Sequence, residues 1–86
     1  MFEDFRLKVF MNVAAEGSFT KAAAILGISQ PAVSQNVAEL EKISGVKLFE
    51  RLRGEVVLTP QGKVFMEYVQ DIMGSYASAA GIFAKV

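Results

Sequence analysis

Four side chains that hydrogen-bond without carrying charge, Gln30, Ser34, Gln35 and Asn36, fall within seven residues of one another, and two long cations, Arg51 and Arg53, follow. Amide and hydroxyl groups presented in a row from one helix can read the donor and acceptor pattern on base edges in a major groove. Guanidinium groups at the end of a hairpin can reach phosphates or enter a narrow minor groove. Catalytic chemistry has little to work with. The 86-residue chain contains no His and no Cys, so the usual metal ligands, imidazole bases and thiol nucleophiles are missing. Glu39 and Glu41 stand two apart on a helical stretch and face different ways, which rules them out as an acid–base pair. No glycine motif that cradles phosphate is present. We expect no catalytic residue, no metal site and no cofactor.

Two helices must position the polar row. Ser18 is a good N-cap, the alanine-rich run that follows has high helix propensity, and Gly27 can end it in the left-handed conformation. Ile28 fills the turn. Ser29 caps a second helix, with Pro31 in its first turn where a missing N–H costs nothing, and Gly45 closes it. Ala32, Val33, Val37, Leu40 and Ile43 form the expected buried stripe of this helix, which leaves Gln30, Ser34, Gln35 and Asn36 facing outward. A helix-turn-helix is the natural description, although any two short amphipathic helices joined by glycine can form a corner with no nucleic-acid role.

From Lys47 the period changes. Lys47-Leu48-Phe49-Glu50-Arg51 precedes Leu52-Arg53-Gly54-Glu55, and the β-branched, apolar Val56-Val57-Leu58-Thr59 follows, which reads as two short strands with a turn around Arg53-Gly54-Glu55. The tip of this wing is expected to carry Arg51 and Arg53. A solvated surface charge is the commoner fate of an arginine. Two of them beside a candidate recognition helix favour DNA contact.

The segment GSFTKAAAILGISQPAVSQNVAELEKISGVKLFERLRGEVVLTPQG resembles the N-terminal winged helix-turn-helix of LysR-type transcriptional regulators. SFTKAA, SQPAVSQ, LEK, LFER and LTPQG occur in the family's order, from about Phe5 to Gly62 without a gap, and fit this family better than the related winged helix of molybdate-responsive regulators. The resemblance implies a dimeric, sequence-specific binder of double-stranded DNA from a bacterial regulator. It implies recognition-helix contacts at Gln30, Pro31, Ser34 and Gln35, a wing contact at Arg51, and phosphate contacts near Thr20, Lys21 and Thr59. It also implies a larger C-terminal effector domain that holds the co-inducer site, so that this chain is a fragment of a longer regulator or a truncated product. Two features depart from the family pattern: Gln35 stands where many members carry arginine, and only Arg53 extends the basic character of the wing.

Charge fits modest phosphate neutralisation. Nine Lys and Arg balance nine Asp and Glu over the chain, while residues 17–54 hold Lys21, Lys42, Lys47, Arg51 and Arg53 against Glu39, Glu41 and Glu50. Affinity should therefore come from pairing two half-sites rather than from charge on one subunit. The neutral total also suits the alternative reading, a winged helix used for protein–protein interaction.

The flanks supply core and pairing surface. A first helix from about Phe2 to Ala15 places Phe5, Val9, Phe10, Val13 and Ala14 on one stripe, with Phe19 and Ile25 packing on it. The aromatic residues there belong to the core rather than to a base-stacking platform. Thr59 caps a last helix that starts at Pro60 and runs to about Ala84. At about 24 residues it is roughly 36 Å long, more than this domain can cover. Phe65, Val69, Ile72, Met73, Tyr76, Ala80 and Phe83 are the expected dimerisation contacts, eased by the small residues Gly74, Ala77, Ala79 and Gly81. A frayed far end is the plainer alternative.

We therefore expect a mainly α fold: a winged helix-turn-helix of three core helices and a two-stranded wing over residues 1–59, then a linker and dimerisation helix over 60–86 in the same compact unit. The chain is 52% apolar and 21% charged, ordinary to rich for one globular domain. No stretch spans a bilayer and no signal peptide is seen, so the expected location is the cytoplasm, as a homodimer (a tetramer in a longer protein) without membrane contact.

Overall fold

The computed structural model describes residues 4–84; the side chains of Tyr76, Ile82, Phe83 and Ala84 lie outside that description. Helices α1 (Phe5–Glu16), α2 (Phe19–Leu26) and α3 (Gln30–Ser44) are followed by strands β1 (Phe49–Leu52) and β2 (Glu55–Leu58) and by helix α4 (Pro60–Ala84). The strands pair antiparallel with Phe49 opposite Leu58 and Leu52 opposite Glu55.

Side chains at the helix ends set most of these limits. Ser18 Oγ accepts from the Lys21 N–H at 3.1 Å, and Ser29 Oγ from the Ala32 N–H at 3.2 Å. Gly27, at φ 70°, then turns the chain between α2 and α3, a conformation that costs glycine no Cβ clash. The start of α1 differs from the expected Phe2, which itself lies outside the described residues. Asp4 is extended, and its carboxylate accepts from the Arg6 N–H at 2.9 Å, so the helix begins at Phe5. The Arg6 guanidinium also bonds both Asp4 oxygens and reaches Glu39 on α3 at 3.0 Å. That arrangement holds the Asp4 carboxyl below the ordinary carboxylate range, chiefly through the side-chain bond to Arg6.

The core lies where α1, α2, α3 and the wing meet. Val9, Phe10 and Val13 of α1 pack with Ala22 and Ala23, with Val33, Val37 and Leu40, and with Leu48, Phe49 and Val56. Phe10 is its aromatic centre, 5.2 Å from the Phe49 ring and 5.0 Å from Phe65 in an edge-on arrangement. The core role expected of the aromatics holds for Phe10 and Phe19. Three apolar residues expected inside are instead on the surface: Phe5, Ile25 (59% exposed) and Ile43 (66% exposed). With Ala22, Ala23 and Leu26 turned inward, the geometry of a helix leaves Ile25 outward. Along α3 the inward line runs from Val33 through Val37 and Leu40 to the half-buried Glu41, so Ile43 points away.

α4 is part of this core. Thr59, 7% exposed, caps it: its Oγ1 accepts from the Gly62 N–H at 2.9 Å and donates to the Lys47 carbonyl at 2.6 Å. Gly62 has no room for a side chain, since a Cβ there would overlap the Leu48 carbonyl oxygen. The close approach brings Phe65, Met66, Val69 and Met73 onto the core. Val69 is completely buried, which corrects its expected place among the dimerisation contacts: no second chain can touch it. Phe65 is likewise engaged with Phe10. Tyr76 and Phe83, the other aromatic contacts expected, have side chains outside the description. Among the described residues, the exposed large apolar side chains of α4 are Val64, Tyr68 and Ile72, at intervals of four, and Ala77 and Ala80 are exposed beyond them. Of the described residues, no helix is long and apolar enough to cross a membrane.

Candidate nucleic-acid interface

The first two turns of α3 present Gln30, Pro31 and Gln35 to solvent, with Ser34 half-buried between them. Spacings of three and four residues put Gln30, Ser34 and, beside them, Gln35 on adjoining positions of one helix face. Gln30 Nε2 donates to Ser34 Oγ at 3.3 Å, so the pair is already oriented in the free protein. This amide–hydroxyl pair was not foreseen, though its four-residue spacing could have suggested it. Asn36 does not join the outward row. It is half-buried, and its Nδ2 donates back to the Ala32 carbonyl at 2.8 Å, the local competition to which short polar side chains are prone.

The wing stands beside this helix, and its two arginines are not equivalent. Arg53 and Gly54 form the two-residue turn, both at positive φ (53° and 79°), as a primed hairpin turn requires. Arg53 is thus at the tip. Arg51 is not: it sits within β1 opposite Val56, one pair back from the closing Leu52–Glu55 pair. Its guanidinium carbon lies 5.4 Å from the centre of the Phe19 ring at the start of α2, within the range of a cation–π contact. The ring supports one face of the guanidinium while the residue remains exposed.

Thr20 and Lys21 are both exposed at the N-terminus of α2, on the same element as Phe19. Thr59 is different. The one proton of its hydroxyl is donated to the Lys47 carbonyl, the same oxygen accepts from the Gly62 N–H, and the residue is buried, so the phosphate contact implied for it is corrected to a structural cap.

The wing root is tied to the helices by three sets of bonds. The Val56 N–H donates to the Gly17 carbonyl at 3.1 Å, and the Thr59 N–H to that of Leu48 at 3.0 Å. The third set belongs to Glu41, whose Oε2 accepts from the Leu48 N–H at 2.8 Å and, more weakly, from the Phe49 N–H at 3.4 Å. Sequence reasoning passed over Glu41 as a surface acid. One signal was available: a carboxylate near the C-terminal end of a helix opposes the helix dipole, so its presence asks for a use elsewhere.

A model of the family described as bacterial regulatory helix-turn-helix protein, lysR family, matches residues 5–63. The HTH-type transcriptional regulator CfxR of Cupriavidus necator is 39% identical over 74 residues, 86% of this chain and 23% of that protein. The transcriptional activator protein LysR of Escherichia coli is 47% identical over 64 residues, 74% of this chain and 21% of that protein. The chain thus spans less than a quarter of the length of these relatives. Among solved structures, the DNA-binding domain of BenM in complex with catB site 1 DNA superposes with a TM-score of 0.88 at 33% identity, covering 94% of this chain and 90% of that one. The DNA complex of the CbnR DNA-binding domain gives 0.82 at 33% identity, covering 96% and 95%.

Proposed function

Because the chain belongs to the LysR family of bacterial regulatory helix-turn-helix proteins, we propose that it binds double-stranded DNA by sequence as the recognition domain of a transcriptional regulator. The observation that carries this reading is the outward row of Gln30, Ser34 and Gln35 on α3, flanked by Arg51 and Arg53 on the wing. The amides and hydroxyl meet base edges in the major groove. Pro31 holds the first turn close to the DNA, and the arginines meet backbone or minor groove to one side. Thr20 and Lys21 contact phosphate at the start of α2.

Residues 1–59 are the DNA-facing part and 60–86 the pairing part of one compact unit. Two copies join through α4, with Ile72 and Ala80 among the contacts and Val64 and Tyr68 continuing the same exposed line. Pairing sets two recognition helices about one helical turn of DNA apart, roughly 34 Å. The chain works in the cytoplasm and has no catalytic role of its own. A co-inducer site belongs to an effector domain of the kind that the much longer relatives have room for.

The test is DNA binding over a range of salt, using duplexes selected from a random pool. Binding should weaken steeply with salt, as counterion release requires. Gln35→Ala should cost roughly 1–3 kcal/mol and relax preference at one base pair. Arg51→Ala should weaken selected and random duplexes alike and lower the salt slope by about 1 per site. No affinity for any duplex at low salt would overturn the reading in favour of a protein-interaction module, and equal loss of discrimination from both substitutions would overturn the division of roles.

A further inference from the structure

We infer that Glu41 is a positioning residue that sets where the wing arginines stand relative to the recognition helix; this rests on the DNA-binding reading above. Glu41 belongs to α3, the helix that carries Gln30, Ser34 and Gln35. Its side chain is only 18% exposed, and Oε2 holds the backbone N–H groups of Leu48 and Phe49, the residues at which β1 begins. Oε1 lies 3.9 Å from the exposed Lys47 ammonium. The carboxylate thus acts as a clamp between the recognition helix and the root of the wing. Helix physics alone gives no reason for a negative charge here, since the C-terminal end of a helix already carries negative partial charge.

The clamp reaches Arg51 through the strand. Residues 49 and 51 share one face of β1, because side chains alternate along a strand. Phe49 is seated in the core, with its ring edge-on to Phe19 at 6.4 Å, and the Arg51 guanidinium lies over that same Phe19 ring. Glu41 fixes the backbone of Leu48 and Phe49; Phe49 and Phe19 then fix the direction of Arg51. A hollow of about 220 Å³ at this junction is bordered by Phe19, Val37, Glu41, Phe49 and Arg51, so there is room for the wing to shift once the clamp is removed. Gln30, Ser34 and Gln35 lie roughly two to three turns away on the helix and need no such clamp.

The consequence is selective. Loss of the carboxylate should cancel the part of binding that the wing supplies and leave base reading intact. A residue that merely stabilised the fold would weaken both.

The experiment compares Glu41→Ala, Glu41→Gln, Arg51→Ala and Gln35→Ala, alone and in pairs with Glu41→Ala, against selected and random duplexes, with amide exchange measured on the DNA-free chain. In Glu41→Ala the Leu48 and Phe49 amides should exchange about tenfold faster or more, while those of Val33 and Val37 keep their protection. Arg51→Ala should then cost less than about twofold in the Glu41→Ala background, whereas Gln35→Ala keeps its full effect, because only the first pair is coupled. Glu41→Gln, which retains an acceptor oxygen, should keep most of the cost of Arg51→Ala and is the rescue control; if Glu41→Ala does not fold, Glu41→Leu, which fills the same space without an acceptor, takes its place. In the variant without an acceptor, an undiminished cost of Arg51→Ala, or unchanged exchange at Leu48 and Phe49, overturns the inference. A wild-type chain that binds no duplex at low salt overturns the DNA reading itself, and the exchange measurement alone then decides whether Glu41 seats the wing.

Discussion

Replacing Thr59 by valine separates two roles that one residue type can play at the start of a helix. Valine keeps the shape of threonine and loses the hydroxyl, so packing around this buried position is conserved. The hydroxyl accepts from the Gly62 N–H at 2.9 Å and donates to the Lys47 carbonyl at 2.6 Å. Losing an N-cap of this kind costs about 1 kcal/mol. Leaving the part-buried Lys47 carbonyl without its donor adds about 1–2 kcal/mol, toward the lower end of the range for a buried group because Lys47 is itself at the surface. The total, about 2–3 kcal/mol, corresponds to a fall in melting temperature of roughly 10–20 °C for a domain of this size. Thr59→Ser keeps both bonds and loses one methyl group, worth about 0.8 kcal/mol. Thermal unfolding followed by circular dichroism, at one protein concentration because pairing would shift the midpoint, measures both variants. Below its transition, Thr59→Val should bind DNA with the salt slope of the wild type. A variant that melts with the wild type yet loses affinity would refute the reasoning and return Thr59 to the DNA interface.

Three further outcomes follow, two from α4 and one from the cap of α1. Sedimentation at tens of micromolar should show a dimer for the wild type and a folded monomer for Ile72→Asp, since covering the half of Ile72 that is still exposed contributes about 0.7–1.5 kcal/mol per subunit and an aspartate there would instead bury a charge. Val69→Asp should instead unfold the subunit, because that side chain is wholly internal, and a monomeric wild type would defeat the pairing proposal. At low pH the Asp4 cap should fail in a defined direction. Its folded carboxyl titrates below the ordinary value, chiefly through the bond to Arg6, so it contributes stability above about pH 4 that is lost as pH falls through the folded value. The advantage of the wild type over Asp4→Asn in urea unfolding should be flat from neutral pH to about 5 and shrink below 4; an advantage that grew on acidification would contradict this.

What the amino-acid order disclosed was mostly local chemistry. Ser18, Ser29 and Thr59 begin helices because their hydroxyls serve the backbone N–H three residues on, and Gly27 and Gly45 end the first two, so the limits of α2 and α3 and the start of α4 were readable. The two strands and their pairing were readable from the change of period after Lys47. Side-chain direction was less so. Ile25 and Ile43 are apolar and well spaced, yet spacing alone does not say which edge of a helix the neighbouring elements cover. Asn36 looked free because its bond back to Ala32 depends on rotamer rather than on sequence. Arg51 lies two residues before the turn, within the ladder, because the turn holds only Arg53 and Gly54 and returns Glu55 to pair with Leu52. The partners of Glu41 and Gly62 were not readable without the chain folding back, because Leu48 and Phe49 in one case and the Leu48 carbonyl in the other come from the root of the wing.

Among the described residues, Met73 is the last side chain of α4 packed on the core, although the helix continues to Ala84. The remainder behaves as a crankshaft whose angle is set by counting residues. One residue inserted after Met73 would turn everything beyond it by about 100° and advance it by about 1.5 Å, with the globular part untouched. Three or four inserted residues would nearly restore the original heading at a greater reach. Any contact made by that overhang should therefore respond to insertions with the period of the helix rather than with their length.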